Sequence, residues 1–194
     1  MRKNLLISIS YTVVTGILLG IVYPVVMTAL AQIFFRDKAN GQLIVDNGVV
    51  VGSKIIGQGF TGAGYFHSRP SAAGTGYDAT SSGGSNYAST NKKYIDRVAA
   101  DVTAMQKNAA GADVPIDLVT ASGSGLDPDI TPAAAEFQVA RIAQARAIPE
   151  AQVREEVARF TSGRQLGFLG EPRVNVLLVN RALDAMAKNR AEAK

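Results

Sequence analysis

The chain has no cysteine and a single histidine, His67. Without cysteine, disulfides and thiolate metal sites are excluded, and the redox compartment cannot be read in either direction. A zinc site would have to be built mainly from carboxylates, an unusual donor set. No GxxxxGK[ST] run is present, so there is no phosphate-cradling Walker loop. The formal net charge is only +4, half of it on Arg2 and Lys3, which gives no support for nucleic-acid binding. The most informative absence is local: no charged side chain stands between Lys3 and Arg36.

That uncharged stretch, Leu5 to Phe35, would run roughly 45 Å as a helix. A bilayer core of about 30 Å needs only about 20 apolar residues. The reading is a cytoplasmic tip over 1–4, a transmembrane helix over 5–35, and one extracytoplasmic domain over 36–194. Ala29-Leu30-Ala31 has the small-x-small look of a signal-peptidase site. The apolar core of a signal peptide spans only about 7 to 15 residues, however, and here Ile33-Phe34-Phe35 continue past the cut, which favours an uncleaved anchor. Arg2, Lys3 and the α-amino group precede the span, whereas Arg36, Asp37 and Lys38 follow it with a net of one charge. The positive-inside tendency then puts the N-terminus in the cytoplasm and the domain outside an inner or plasma membrane crossed once.

Within the span, Ser8, Thr12, Gly16 and Gly20 recur every fourth residue, and Pro24 and Thr28 extend the row. Positions four apart share a helix face. Gly16 and Gly20 form a GxxxG pair that lets a partner helix approach closely. Pro24 cannot donate to the carbonyl of Gly20, so a kink is expected there.

After Arg36 the pattern is that of one mixed α/β domain. Leu43–Val45 and Val49–Val51 read as a hairpin about Asp46-Asn47-Gly48, where Asn-Gly supplies positive φ. Gly52 to Tyr87 is a long Gly/Ser/Thr-rich stretch whose aromatic residues argue for packing. Helices are expected over Asn91–Asn108, from a Thr131-Pro132 start to Ala147, over Glu150–Phe160, and from Pro172 to Lys188. Val114 to Thr120 alternates like a short strand, with Val114, Ile116 and Leu118 on one side.

Candidate chemistry is sparse. Asp113, Asp117, Asp127, Asp129 and Glu136 fall in a stretch without Lys or Arg. Such a face could concentrate cations, and solvated surface carboxylates account for it as well. Asp127-Pro128-Asp129 begins like a calcium loop, but Pro132 and Gln138 occupy the positions that need Gly and Glu, so no metal site is assigned. Ser122-Gly123-Ser124-Gly125 lacks the first glycine of a nucleophile elbow, with only His67 available as base. Ser89-Thr90-Asn91-Lys92 fits S-x-x-K without its KTG partner. No catalytic residue is assigned. Ser82, Gly83, Gly84, Ser85 and Asn86 form the best anion-binding candidate, a glycine turn able to offer successive N–H groups, with Arg69 positioned in sequence to assist.

Several runs, in order, resemble the C subunit family of the bacterial Kdp potassium-transporting ATPase. They are Gly57-Gln58-Gly59-Phe60, Tyr65 through Ala72, Ser82 through Asn86, and above all Val114 through Pro128. Gln138-Val139-Ala140-Arg141, Gly170 through Leu177, Asn180 and Ala182-Leu183 complete the pattern. Asp129 stands where the family usually carries histidine, and Ala140 where it often carries proline.

The resemblance implies a non-catalytic, single-span subunit of a potassium import complex. Its partners would be a potassium-channel-like subunit, a P-type ATPase subunit and a small peptide subunit, besides the lipid bilayer. It implies a role in assembly and as a catalytic chaperone that raises the ATP affinity of the ATPase subunit. Ser82-Gly83-Gly84-Ser85 resembles the signature loop of ABC transporters, so ATP in a ternary complex with the ATPase subunit is implied, with no cofactor of the chain's own. Asp37-Lys38-Ala39-Asn40 only begins like the phosphoryl-accepting DKTG. A domain outside the cytoplasm cannot meet cytoplasmic ATP, which favours assembly and a pore-mouth role. Nucleotide binding through Ser82 to Asn86 and an anchored serine hydrolase using Ser122 or Ser124 with His67 are the alternatives.

Overall fold

A computed structural model describes residues 1–106 and 112–192. The chain divides into two compact units, Met1–Val51 and Gly52–Lys194.

The first unit is dominated by one apolar helix. It runs as α1 (Arg2–Ile17), a π-helical turn (Leu18–Val22) and α2 (Tyr23–Phe34). Together these form a 33-residue candidate span with mean hydropathy 2.3 and no buried residue. The irregularity expected from Pro24 takes the form of the π turn, in which Tyr23 N–H reaches back to Leu18 O while the backbone angles stay helical. Such a turn takes up an extra residue, so the strict row Ser8, Thr12, Gly16 is not carried unchanged to Pro24 and Thr28. The helix stops at Phe35, whose φ of −137° and ψ of 39° are not helical. A single turn, α3 (Arg36–Ala39), follows. Asn40 Nδ2 donates to Arg36 O at 2.7 Å, and its amide also pairs with Gln32.

The hairpin forms where Asn-Gly placed it: β1 (Leu43–Asp46) pairs with β2 (Val49–Ser53), and Asn47 and Gly48 sit at φ 50° and 80°. From 54 to 90 the chain is irregular, as its composition suggested.

In the second unit the helices are α4 (Lys92–Gln106), α5 (Pro132–Arg146), α6 (Glu150–Arg159) and α7 (Val176–Glu192). The expected end of α4 at Asn108 lies outside the described residues. Thr131 caps α5 by accepting from Ala134 N–H at 3.1 Å, and Ala147 closes it at φ 50°. A small antiparallel sheet has the order β3 (Asp129–Ile130), β5 (Arg173–Asn175), β4 (Thr161–Ser162). Ile130 faces Val174, and Thr161 faces Val174 from the other side. The core gathers Phe66, Ile130, Val139, Ile142, Val153, Val174, Val179 and Leu183 between the sheet, α5, α6 and α7.

Two sequence expectations are corrected here. Val114 to Thr120 is not a strand but contains a 3-10 turn (Ile116–Leu118) that begins after Pro115. Ile116 points to solvent at 73% exposure, while Asp117 and Leu118 are buried. Asp117 is held inward because its carboxylate accepts from both Thr131 N–H (2.7 Å) and Thr131 Oγ1 (3.2 Å). The last helix does not begin at Pro172; β5 intervenes and α7 starts at Val176.

Candidate functional site

Two buried amides organise the irregular segment. Asn180 Oδ1 accepts from Phe66 N–H at 2.8 Å and its Nδ2 donates to Phe66 O at 2.9 Å. Gln138 Oε1 accepts from His67 N–H at 2.8 Å and its Nε2 donates to His67 O at 3.1 Å. The two helices thus supply by side chain the pairing that a neighbouring strand would give by main chain, which satisfies buried peptide groups. Arg141 Nη2 adds a bond to Tyr65 O at 3.0 Å, and Arg146 lies 4.7 Å over the Tyr65 ring. Burial pulls the pKa of His67 below its ordinary 6.5, while a contact with Gly62 O resists the shift.

With Phe66 anchored, the following loop folds against the Ser122–Gly125 turn. Ser71 Oγ donates to Gly125 O at 2.6 Å and accepts from Tyr77 N–H at 2.8 Å. Gly83 N–H donates to Ser124 O at 2.9 Å, and Ser82 Oγ to the same oxygen at 3.0 Å. Gly125 is irreplaceable in this contact. It holds φ +66°, and a Cβ there would lie 2.6 Å from Ala73 N and 2.7 Å from Gly83 O. The two Gly/Ser runs, far apart in sequence, therefore form one packed junction.

This arrangement changes the standing of the candidate residues. Gly83 spends its N–H on Ser124, so the turn offers fewer donors to an anion than a free glycine nest. Arg69 does not reach toward it; it pairs with Asp127 Oδ2 at 3.1 Å and donates to Thr120 O at 3.3 Å. Arg97 instead lines a cavity beside the turn. A cavity of about 360 Å³ is lined by Ser71, Gly84, Ser85, Tyr87 and Arg97 among others. Arg97 also pairs with Asp101 at 2.7 Å and donates to Val119 O at 3.1 Å.

The Ser–His arrangement is not assembled. Ser122 Oγ accepts from Gly125 N–H at 2.9 Å and Ser124 Oγ from Leu126 N–H at 3.1 Å, whereas the His67 ring meets Gly62 O. His67 instead lines another cavity of about 240 Å³ with Met105, Leu118 and Phe137. Asp127 and Asp129, considered for calcium, are engaged by Arg69 and Arg173. Among the described residues there is no cluster of metal-ligating side chains.

On the candidate span, Ser8 Oγ donates to Asn4 O and Thr12 Oγ1 to Ser8 O, both at 2.9 Å. Side chains added at Gly16 or Gly20 would meet nothing within 4 Å.

The sequence left Gln138, Arg141 and Asn180 without a structural role. The available signal was two amides within otherwise apolar helix faces, Gln138 beside Val139 and Ile142, and Asn180 beside Val179 and Leu183.

One N-terminal helix long and apolar enough to span a membrane, followed by a helix-and-sheet domain, is thereby defined. A family model described as the c chain of K+-transporting ATPase matches residues 5–185, and the chain belongs to that family. It is 62% identical over 184 residues to the Potassium-transporting ATPase KdpC subunit of Koribacter versatilis, covering 95% of each chain. The protein of the same name from Acidobacterium capsulatum is 59% identical, covering 95% of this chain and 99% of its own. That of Mycobacterium tuberculosis is 51% identical, covering 96% and 100%.

Proposed function

We propose that this chain is an accessory subunit of an ATP-driven potassium importer, stabilising the assembly from outside the cytoplasm. The observation that carries the reading is family membership along nearly the whole length, with 62% identity to a named potassium-transporting ATPase subunit. The span anchors the chain by packing Ser8, Thr12, Gly16 and Gly20 against helices of a channel-like subunit, a P-type ATPase subunit and a small peptide subunit. The water-facing domain sits near the mouth of the potassium path. Any effect on ATP affinity reaches the ATPase subunit through the membrane partners, because Gly83 already donates to Ser124 and the domain is outside. Cells lacking the chain should fail to grow at limiting potassium and recover when it is restored. Undiminished growth at limiting potassium without it, in cells with no other high-affinity uptake, would refute the proposal.

The cavity beside Gly84, Ser85, Tyr87 and Arg97 favours a second reading, direct nucleotide binding by the domain. An aromatic ring and a guanidinium lining one cavity could serve a base and a phosphate. Titration of the detergent-solubilised chain with a fluorescent ATP analogue separates the two. Saturable binding that Arg97→Ala abolishes would support direct contact, and its absence supports transmission through partners.

A further inference from the structure

The connection between β4 and β5 carries two of the most exposed apolar side chains of the second unit, Leu166 at 82% and Phe168 at 69% exposure. It is not a slack loop. Gln165 and Leu169 exchange both main-chain bonds, Gln165 N–H to Leu169 O at 2.8 Å and Leu169 N–H to Gln165 O at 2.9 Å. Arg164 and Glu171 close its base with an ion pair at 2.6 Å. Leu166 is held at φ 52°, a left-handed conformation that bulky side chains rarely adopt and that glycine would hold without strain. A strained, ordered turn that displays a leucine and a phenylalanine to water spends stability on something other than its own fold.

We propose that Leu166 and Phe168 form a peg that enters an apolar pocket on another protein subunit of the potassium-transporting assembly. The inference rests on the subunit reading above. Charge decides against an anionic lipid surface as occupant. No charged residue lies between Arg164 and Glu171, and the cations at the base are already matched, Arg164 by Glu171 and Arg173 by Asp129 at 3.0 Å. An anionic headgroup finds no unpaired cation there, whereas a neutral apolar pocket matches a neutral apolar tip. Area decides against a dimer of this chain held by the tip alone. The two side chains offer on the order of 300 Å², and a stable interface buries about 1,200–2,000 Å² in total. The tip therefore acts as an anchor within an assembly held together elsewhere, as by the span. Buried aromatic anchors of this kind commonly dominate the energetics of such contacts.

The test places a photoreactive phenylalanine derivative at position 168 of the full chain, in cells that express the whole transporter. Irradiation before purification should yield an adduct with another subunit. An adduct with lipid, an adduct with a second copy of the chain, or no adduct in an intact purified assembly would each overturn the proposal. Recovery of no assembly at all would remove the subunit reading itself, a distinguishable failure. In parallel, the double variant Leu166→Gly with Phe168→Ala should lower retention of the chain in the purified assembly by about tenfold. Leu166→Gly alone should leave thermal stability equal or higher, since glycine accepts the positive φ. Wild-type retention of the double variant would contradict the proposal.

Discussion

At the scale of single residues, Asn180 is the position on which the irregular segment depends most. Its amide satisfies both main-chain groups of Phe66, a side chain with no exposure. Asn180→Ala would leave a buried donor and a buried acceptor unpaired, at about 3 kcal/mol. Chemical denaturation of the full chain in detergent checks this, with Asn180→Leu expected to be no better because shape does not replace the two bonds. His67 carries the pH dependence near neutrality. Burial depresses its pKa below the ordinary 6.5. The unfolded chain therefore takes up the proton first as the pH falls. The stabilising contribution is present above about pH 6.5 and is lost as the pH drops through the folded value. Thermal melts at pH 7.5 and 5.5 should show a fall that His67→Gln reduces.

At the scale of elements, local signals were legible and long-range ones were not. The Thr131-Pro132 start of α5 and the Asn47-Gly48 turn are encoded within a few residues, and both formed where expected. The strands β3, β4 and β5 are two or three residues long and exist only because Ile130, Val174 and Thr161 pair across distant sequence, so no periodicity could announce them. The alternation from Val114 to Thr120 misled because Asp117, which looked like an outward position, is drawn inward by Thr131. The meeting of Ser82–Gly83 with Ser122–Gly125 is equally invisible in the sequence, where each run stands out alone. On the span, the back-bonded hydroxyls suggest an asymmetric outcome. Ser8→Ala and Thr12→Ala should leave assembly nearly unchanged, since those hydroxyls already bond Asn4 O and Ser8 O. Gly16→Leu with Gly20→Leu should reduce recovery of the assembly about tenfold, close to 1.4 kcal/mol, by blocking close helix approach. Subunit ratios after mild-detergent purification measure both.

At the scale of the whole molecule, we propose a helix in the bilayer and the helix-and-sheet domain outside the cytoplasm. The absence of native cysteine makes the placement directly measurable. Ser81→Cys puts a single thiol on an exposed loop position. A membrane-impermeant maleimide should label it in intact cells, or in spheroplasts where an outer membrane intervenes. Labelling only after the membrane is opened would reverse the topology and return ATP to reach of the Ser82–Asn86 loop. The central claim, membership in a potassium-transporting assembly, is tested most directly by purifying the tagged chain from potassium-starved cells in mild detergent and identifying its companions by mass spectrometry. A P-type ATPase and a potassium-channel-like protein are expected in fixed ratio with the chain. Recovery of the chain alone, under conditions that keep other membrane complexes intact, would contradict it.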